Sequence, residues 1–253
     1  MTASTLVILT GASRGLGHAM AAHYLANGAF VLGLSRGQAA DLVPAAAGGL
    51  EQWPADLADP VPLADRLATW LAEFERRAGA APARVRLIHN AALLNEPGDV
   101  AATPAADLAR SLRVGLEAPV ALTAAFLGAT ARWSVSDRRV LFVSSGLGRR
   151  PMAGSGAYCA QKAGLDHFAR ALALEEAAWP HGARVASVAP GIIDTDMQKQ
   201  LRGADPARFA EQGTFAGFHS SGALDSPAAA AAKVIALLER SDYGANPVTD
   251  VRA

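Results

Sequence analysis

Short apolar runs alternate with longer amphipathic ones along this whole chain, and that alternation leaves few folds open to it. Residues 5–9, 30–34, 85–89, 140–144 and 184–189 are apolar enough to be strands buried on both faces, with 50–53 a weaker strand. Between them, residues 15–27, 62–78, 105–133, 156–179 and 227–240 carry the pattern of helices. Strand and helix in alternation imply an α/β fold, a doubly wound parallel sheet with helices on both faces. No repeat, linker or change of composition divides the 253 residues, so one domain is expected over 1–253. Only 197–224 lacks a clear period. A segment that long without regular structure is expected to be a substrate loop or lid.

Charge narrows the partners. Twenty-three Lys and Arg balance 23 Asp and Glu with no block of one sign, which argues against nucleic acid and against an anionic membrane. No 18 apolar residues run uninterrupted, and the apolar start at 6–9 is short and lacks a basic lead, so no membrane partner is expected. Cys159 is the single cysteine; it excludes an internal disulfide and suits a reducing compartment, so a cytoplasmic location is expected. The six histidines show no metal-binding spacing, and no serine sits in a G-x-S-x-G elbow. Metal chemistry and α/β-hydrolase chemistry are therefore not expected.

The first strand runs directly into Thr10-Gly11-Ala12-Ser13-Arg14-Gly15-Leu16-Gly17, which opens the first helix. Glycines there allow a tight turn and let the backbone approach a pyrophosphate at the helix N-terminus. The other reading is a helix-opening turn with no ligand, but its place after the N-terminal strand favours a Rossmann-type dinucleotide site. Such sites usually carry an acid about 20 residues on to hold a ribose 2′-OH when the cofactor is NAD. No Asp or Glu lies between Gly17 and Asp41, and the second strand ends in Ser35-Arg36. Arg14 and Arg36 offer two guanidinium forks for a 2′-phosphate, unless both are simply solvated. NADP(H) is the cofactor expected.

Tyr158 and Lys162 are four apart on a predicted helix and share one face. An ammonium there can lower the phenol from its ordinary pKa of about 10 and make it an acid/base near neutral pH.

Together these motifs resemble the short-chain dehydrogenase/reductase family across nearly the whole chain. The match comprises the loop at 10–17, Asp56-Leu57, Asn90-Ala91, Ser145, Tyr158-x-x-x-Lys162 and Pro190-Gly191-x-x-x-Thr195. More weakly, 116–127 and 189–198 look most like sepiapterin-reductase-like and diketone-reducing members. The resemblance implies that Tyr158 protonates the carbonyl oxygen as hydride arrives, that Lys162 tunes it and holds the nicotinamide ribose, and that Ser145 binds the substrate oxygen. Ser144 is the weaker candidate, one residue too far from Tyr158. By the same resemblance Asp56 contacts adenine with Leu57 beside it, and Asn90 and Ala91 line the cofactor cleft. Pro190, Gly191 and Ile193 border the nicotinamide, whose carboxamide meets Thr195. A homodimer or homotetramer is implied too.

Two departures stand out. His89-Asn90-Ala91-Ala92 replaces the family's Asn-Asn-Ala-Gly, and Gly115 stands where the family places an asparagine whose main-chain carbonyl serves a proton relay. Pro119 has no N–H to satisfy that carbonyl, and Pro with Gly favours a local kink. Gly115 is therefore expected to keep the relay through its backbone, and an asparagine at 115 is expected to be tolerated. The chain is expected to reduce ketones, aldehydes or diketones with NADPH. Alternatives are the oxidative direction on an alcohol, or a silent dinucleotide sensor. Met197, Leu201, Phe209, Phe215 and Phe218 suggest an apolar substrate pocket, or else packing of the loop onto the body.

Overall fold

The computed structural model describes residues 4–133 and 136–252. Its strands are β1 (Thr5–Thr10), β2 (Phe30–Ser35), β3 (Gly49–Pro54), β4 (Arg84–His89), β5 (Asp137–Val143), β6 (Arg184–Ala189) and β7 (Val248–Asp250). They form one sheet in the order β3-β2-β1-β4-β5-β6-β7, and every pairing is parallel. The helices are α1 (Gly15–Ala26), α2 (Pro60–Ala78), α3 (Ala105–Leu112), α4 (Ala118–Thr130), α5 (Gly156–Ala177), α6 (Asp196–Arg202), α7 (Gln212–Ser220) and α8 (Pro227–Leu238). The doubly wound reading holds.

Both faces of the sheet are covered, which is why its strands read as continuous apolar runs. Leu6 and Ile8 of β1 pack toward α2, α4 and α5, whereas Val7 and Leu9 of the same strand pack toward α1 and α8. Ser226 caps α8 by accepting from the Ala229 N–H at 3.1 Å, with Pro227 in the first turn.

Residues 105–130 form one long helix interrupted in its middle. Pro119 cannot donate to residue 115, and the irregularity expected there takes the form of a π-helical turn over Arg113–Glu117. Ala118 N–H donates to Arg113 O, five residues back. This helix is long and apolar enough, at mean hydropathy 1.4, to cross a membrane by length and composition. Its apolar side has another use: Ala118, Leu122 and Phe126 are buried against the sheet.

Two expectations are corrected. Residues 197–224 are not irregular throughout: most of α6 and all of α7 lie in them, joined by turns and held by Leu201, Ala204, Phe209 and Phe215 packing on Leu94, Leu147, Met152 and Tyr158. Strand β7 was not foreseen, because three residues are too few to show a pattern.

Candidate active site

Strand order reverses between β1 and β4, and a cavity of about 1110 Å³ opens at their C-terminal ends, the usual ligand crevice of such sheets. Gly11, Ser13, Arg14, Gly15 and Leu16 line it from the β1 side. Arg14 precedes α1 without any side-chain cap, and the first turn holds no acid, so the first N–H groups are left for an anion. Gly17 is not on the wall. A Cβ there would lie 2.2 Å from the Gly11 carbonyl oxygen and 2.5 Å from Asn90 Nδ2, so glycine is required for the loop to close on itself. Asn90 lines the cavity with Ala91 and also clamps that loop: its Nδ2 donates to Thr10 O at 3.1 Å and Gly11 O at 3.3 Å. The Thr10 hydroxyl accepts from the N–H groups of Asn90 and Ala91 at 3.1 Å each. Strands β1 and β4 are thus tied together where the glycine loop begins.

Arg36, Asp56 and Leu57 line the far wall. The Ala58 N–H and then Arg110 hold the Asp56 carboxyl below its usual range, Arg110 donating at 2.7 Å. Arg14 reaches across the cavity to Asp196 at 3.1 Å, an exposed pair. Arg110 and Asp196 carried no sequence signal, since each is recognisable only by its distant partner.

At the other end, β5 delivers Ser145 and α5 delivers Tyr158 and Lys162 to the same cavity. Burial pushes the Tyr158 phenol up to about 12, opposed by the Ser145 hydroxyl. The expected lowering by Lys162 is not what the geometry gives. The Lys162 ammonium sits 5.5 Å from the centroid of the Tyr158 ring and donates to Val143 O at 2.7 Å. Burial lowers Lys162 itself to about 8, and only the Asp166 carboxylate opposes that.

Asp166 is buried and was missed, although it falls four residues after Lys162 on the same helix face. It accepts from Ser144 Oγ and Ser187 Oγ at 2.6 Å each and from Arg149 Nε at 3.3 Å. Ser144 is thereby spoken for, which leaves Ser145 as the free hydroxyl beside Tyr158. Ser145 Oγ also accepts from the Leu147 N–H at 3.2 Å.

Pro190, Gly191, Ile193 and Thr195 follow β6 along the cavity rim, where Ile193 pairs with Asp225. Gly115 lies off the wall, buried in the π turn. A Cβ at Gly115 would stand 1.6 Å from Gln161 Oε1 and 2.4 Å from its Cδ, so a side chain at 115 requires the Gln161 carboxamide to move.

The model of short chain dehydrogenases matches residues 5–206. The chain belongs to the short-chain dehydrogenase/reductase family. As a member it is an oxidoreductase. It is 32% identical to a benzil reductase ((S)-benzoin forming) of Bacillus cereus over 94% of this chain and 95% of that one. It is 31% identical to the sepiapterin reductase of Mus musculus, covering 93% and 92% of the two. A solved structure from Beutenbergia cavernae, with NADP bound at low occupancy, is 25% identical with a TM-score of 0.78, covering 98% of this chain and 95% of that one. Met197, Leu201, Phe215 and Phe218 reach the cavity wall together with Leu94 and Met152. Phe209 does not; it is buried behind them against Phe215, ring centroids 5.8 Å apart.

Proposed function

We propose that this chain is an NADPH-dependent reductase delivering hydride to the carbonyl of a ketone, aldehyde or diketone. The observation that carries the reading is that Ser145, Tyr158 and Lys162 line one cavity whose other wall is the glycine loop. With its phenol raised to about 12 by burial, Tyr158 stays protonated through the neutral range and so has a proton to give. The bound nicotinamide supplies the hydride. Ser145 Oγ orients the substrate oxygen, Tyr158 Oη holds the proton it will receive, and Lys162 presents an ammonium to the ribose.

The uncapped start of α1 and the glycine loop suit a pyrophosphate. Arg14 and Arg36, with no acid at the end of β2, support a 2′-phosphate on the adenine ribose. Likeness to a benzil reductase, and to a structure with NADP bound, points the same way. The wall of Leu94, Met152, Phe215 and Phe218 suits an apolar or aromatic substrate. A homodimer or homotetramer is part of the reading, supported by exposed Leu112, Leu174 and Trp179 on and beside α3 and α5.

The test is a panel of aromatic ketones, aldehydes and diketones, including benzil, assayed with NADPH and with NADH. Turnover of diketones at a higher kcat/KM with NADPH is expected. Turnover of no carbonyl would overturn the reaction, and a preference for NADH would overturn the cofactor choice.

A further inference from the structure

Gln161 is unexplained by the family motif and by the cavity wall. It directly precedes Lys162 on α5, is fully buried, and reaches toward α3 and the π turn. Its Nε2 donates to Leu93 O at 3.0 Å and to Ser111 Oγ at 3.0 Å, while Ser111 Oγ donates to the same Leu93 oxygen. Because a carbonyl oxygen can only accept, Leu93 fixes which end of the carboxamide is nitrogen. Oε1 is left facing Gly115, without a donor among the described residues.

A carboxamide oxygen packed this closely on a glycine calls for a reason. The geometry offers one. Glycine at 115 has given up its side chain in the space that the Gln161 carboxamide fills. Through Gln161, the loop after β4, the π turn and the helix that carries Lys162 are joined at one point.

Resting on the reading of Tyr158 and Lys162 as the reacting pair, we propose that Gln161 is a positioning residue of this site. It supplies from α5 the side chain that Gly115 lacks and locks the π turn against the Lys162 helix.

The pairing makes a signature that simple packing does not. Four variants test it by kcat, kcat/KM against pH, and thermal unfolding: Gly115→Asn, Gln161→Ala, Gln161→Met and the double Gly115→Asn/Gln161→Ala. Gly115→Asn should lose on the order of 10²-fold in kcat, because it drives the π turn off Gln161. Gln161→Ala should lose about tenfold and shift the alkaline limb of kcat/KM that Lys162 sets. The double variant, with a carboxamide returned from the other helix, should recover about tenfold over Gly115→Asn alone. Gln161→Met keeps the bulk and should unfold near the wild-type midpoint, yet show the shifted limb of Gln161→Ala.

Wild-type kcat and pH profile in Gln161→Met would show that residue 161 only packs. Additive losses in the double variant would refute the pairing with Gly115. The unfolding measurements need no substrate. If the wild type reduced no carbonyl, the reductase reading would fail, while coupling between 115 and 161 in unfolding would still decide the pairing.

Discussion

Tyr158 and Lys162 are moved in opposite directions by the same burial, to about 12 and about 8. Each consequence can be measured. Tyr158→Phe keeps the ring and removes the transferable proton, so turnover should fall by roughly 10²–10⁴-fold while NADPH affinity changes little. Near-normal turnover would remove Tyr158 as the acid. Lys162 loses its proton as pH rises through about 8, so kcat/KM should decline above that pH and not below it. The proposed choice of NADPH also turns on single residues. Arg36→Asp places a carboxylate where a 2′-phosphate is expected and should narrow or reverse the preference for NADPH. Asp196→Asn frees Arg14 from an exposed pair worth about 0–1 kcal/mol, so NADPH should bind at most about fivefold tighter, with NADH unaffected. Weaker NADPH binding in that variant would show that Asp196 holds Arg14 in place for the phosphate. Tyr158, Lys162 and Ser145 were legible because chemistry and spacing both mark them. Asp166, Arg110 and Gln161 were not, since each acts on a residue that only the fold brings near.

Long elements were legible for a related reason. β1, β4 and the helix over α5 repeat their period often enough to be read, whereas α6, α7 and β7 are too short for a pattern to emerge. The two short helices would be marginal alone, and their order comes from burying Phe209, Phe215 and Leu201 over Tyr158. That makes them a unit able to open separately from the sheet. Hydrogen exchange with no ligand added should therefore be faster across 196–220 than in β1 and β4, and should slow when cofactor and substrate bind. Phe209→Ala should speed exchange in 196–220 sharply and raise KM for an apolar ketone. It should move the global unfolding midpoint far less than the roughly 3–5 kcal/mol usual for such a deletion, because the loss is confined to the opening unit. A full drop in global stability would show that α6 and α7 unfold with the sheet. The π turn belongs to this scale too: Pro119 announced an interruption at Gly115, but not its π form, nor the packing on it of Gln161, which the sequence places 46 residues away.

Across the whole molecule, chemistry and stability are separated along the strands. The cavity occupies their C-terminal ends, while Arg86, fully buried on β4, binds Glu239 at 2.6 Å and Asp137 at 3.0 Å outside its wall. Arg184 joins Asp137 at 2.6 Å, and the Tyr24 hydroxyl donates to Glu239 at 3.0 Å, so β4, β5, β6, α1 and the end of α8 share one network. Glu239→Gln leaves Arg86 half-compensated and should cost about 3 kcal/mol in urea unfolding, with kcat within about twofold of wild type. Acid should act through two groups in sequence. His89, stacked on Phe142 and bonded to Thr123 at 2.9 Å, is held down to about 3 by burial. An unfolded histidine takes a proton near pH 6.5 that the folded one refuses, so stability should fall as pH drops below about 6.5 and continue falling to about 3. Asp137 acts lower. Burial raises it, but Arg139, Arg184 and Arg86 win and hold it at about 2, so the stability it contributes is present above its ordinary range and lost as pH falls toward 2. The urea midpoint should therefore slope from pH 6.5 downward, and His89→Gln, which keeps a partner for Thr123, should flatten that slope between pH 6 and 4 while leaving the steeper loss below it. A wild-type midpoint level from pH 7 to 4 would mean that His89 takes its proton inside the fold.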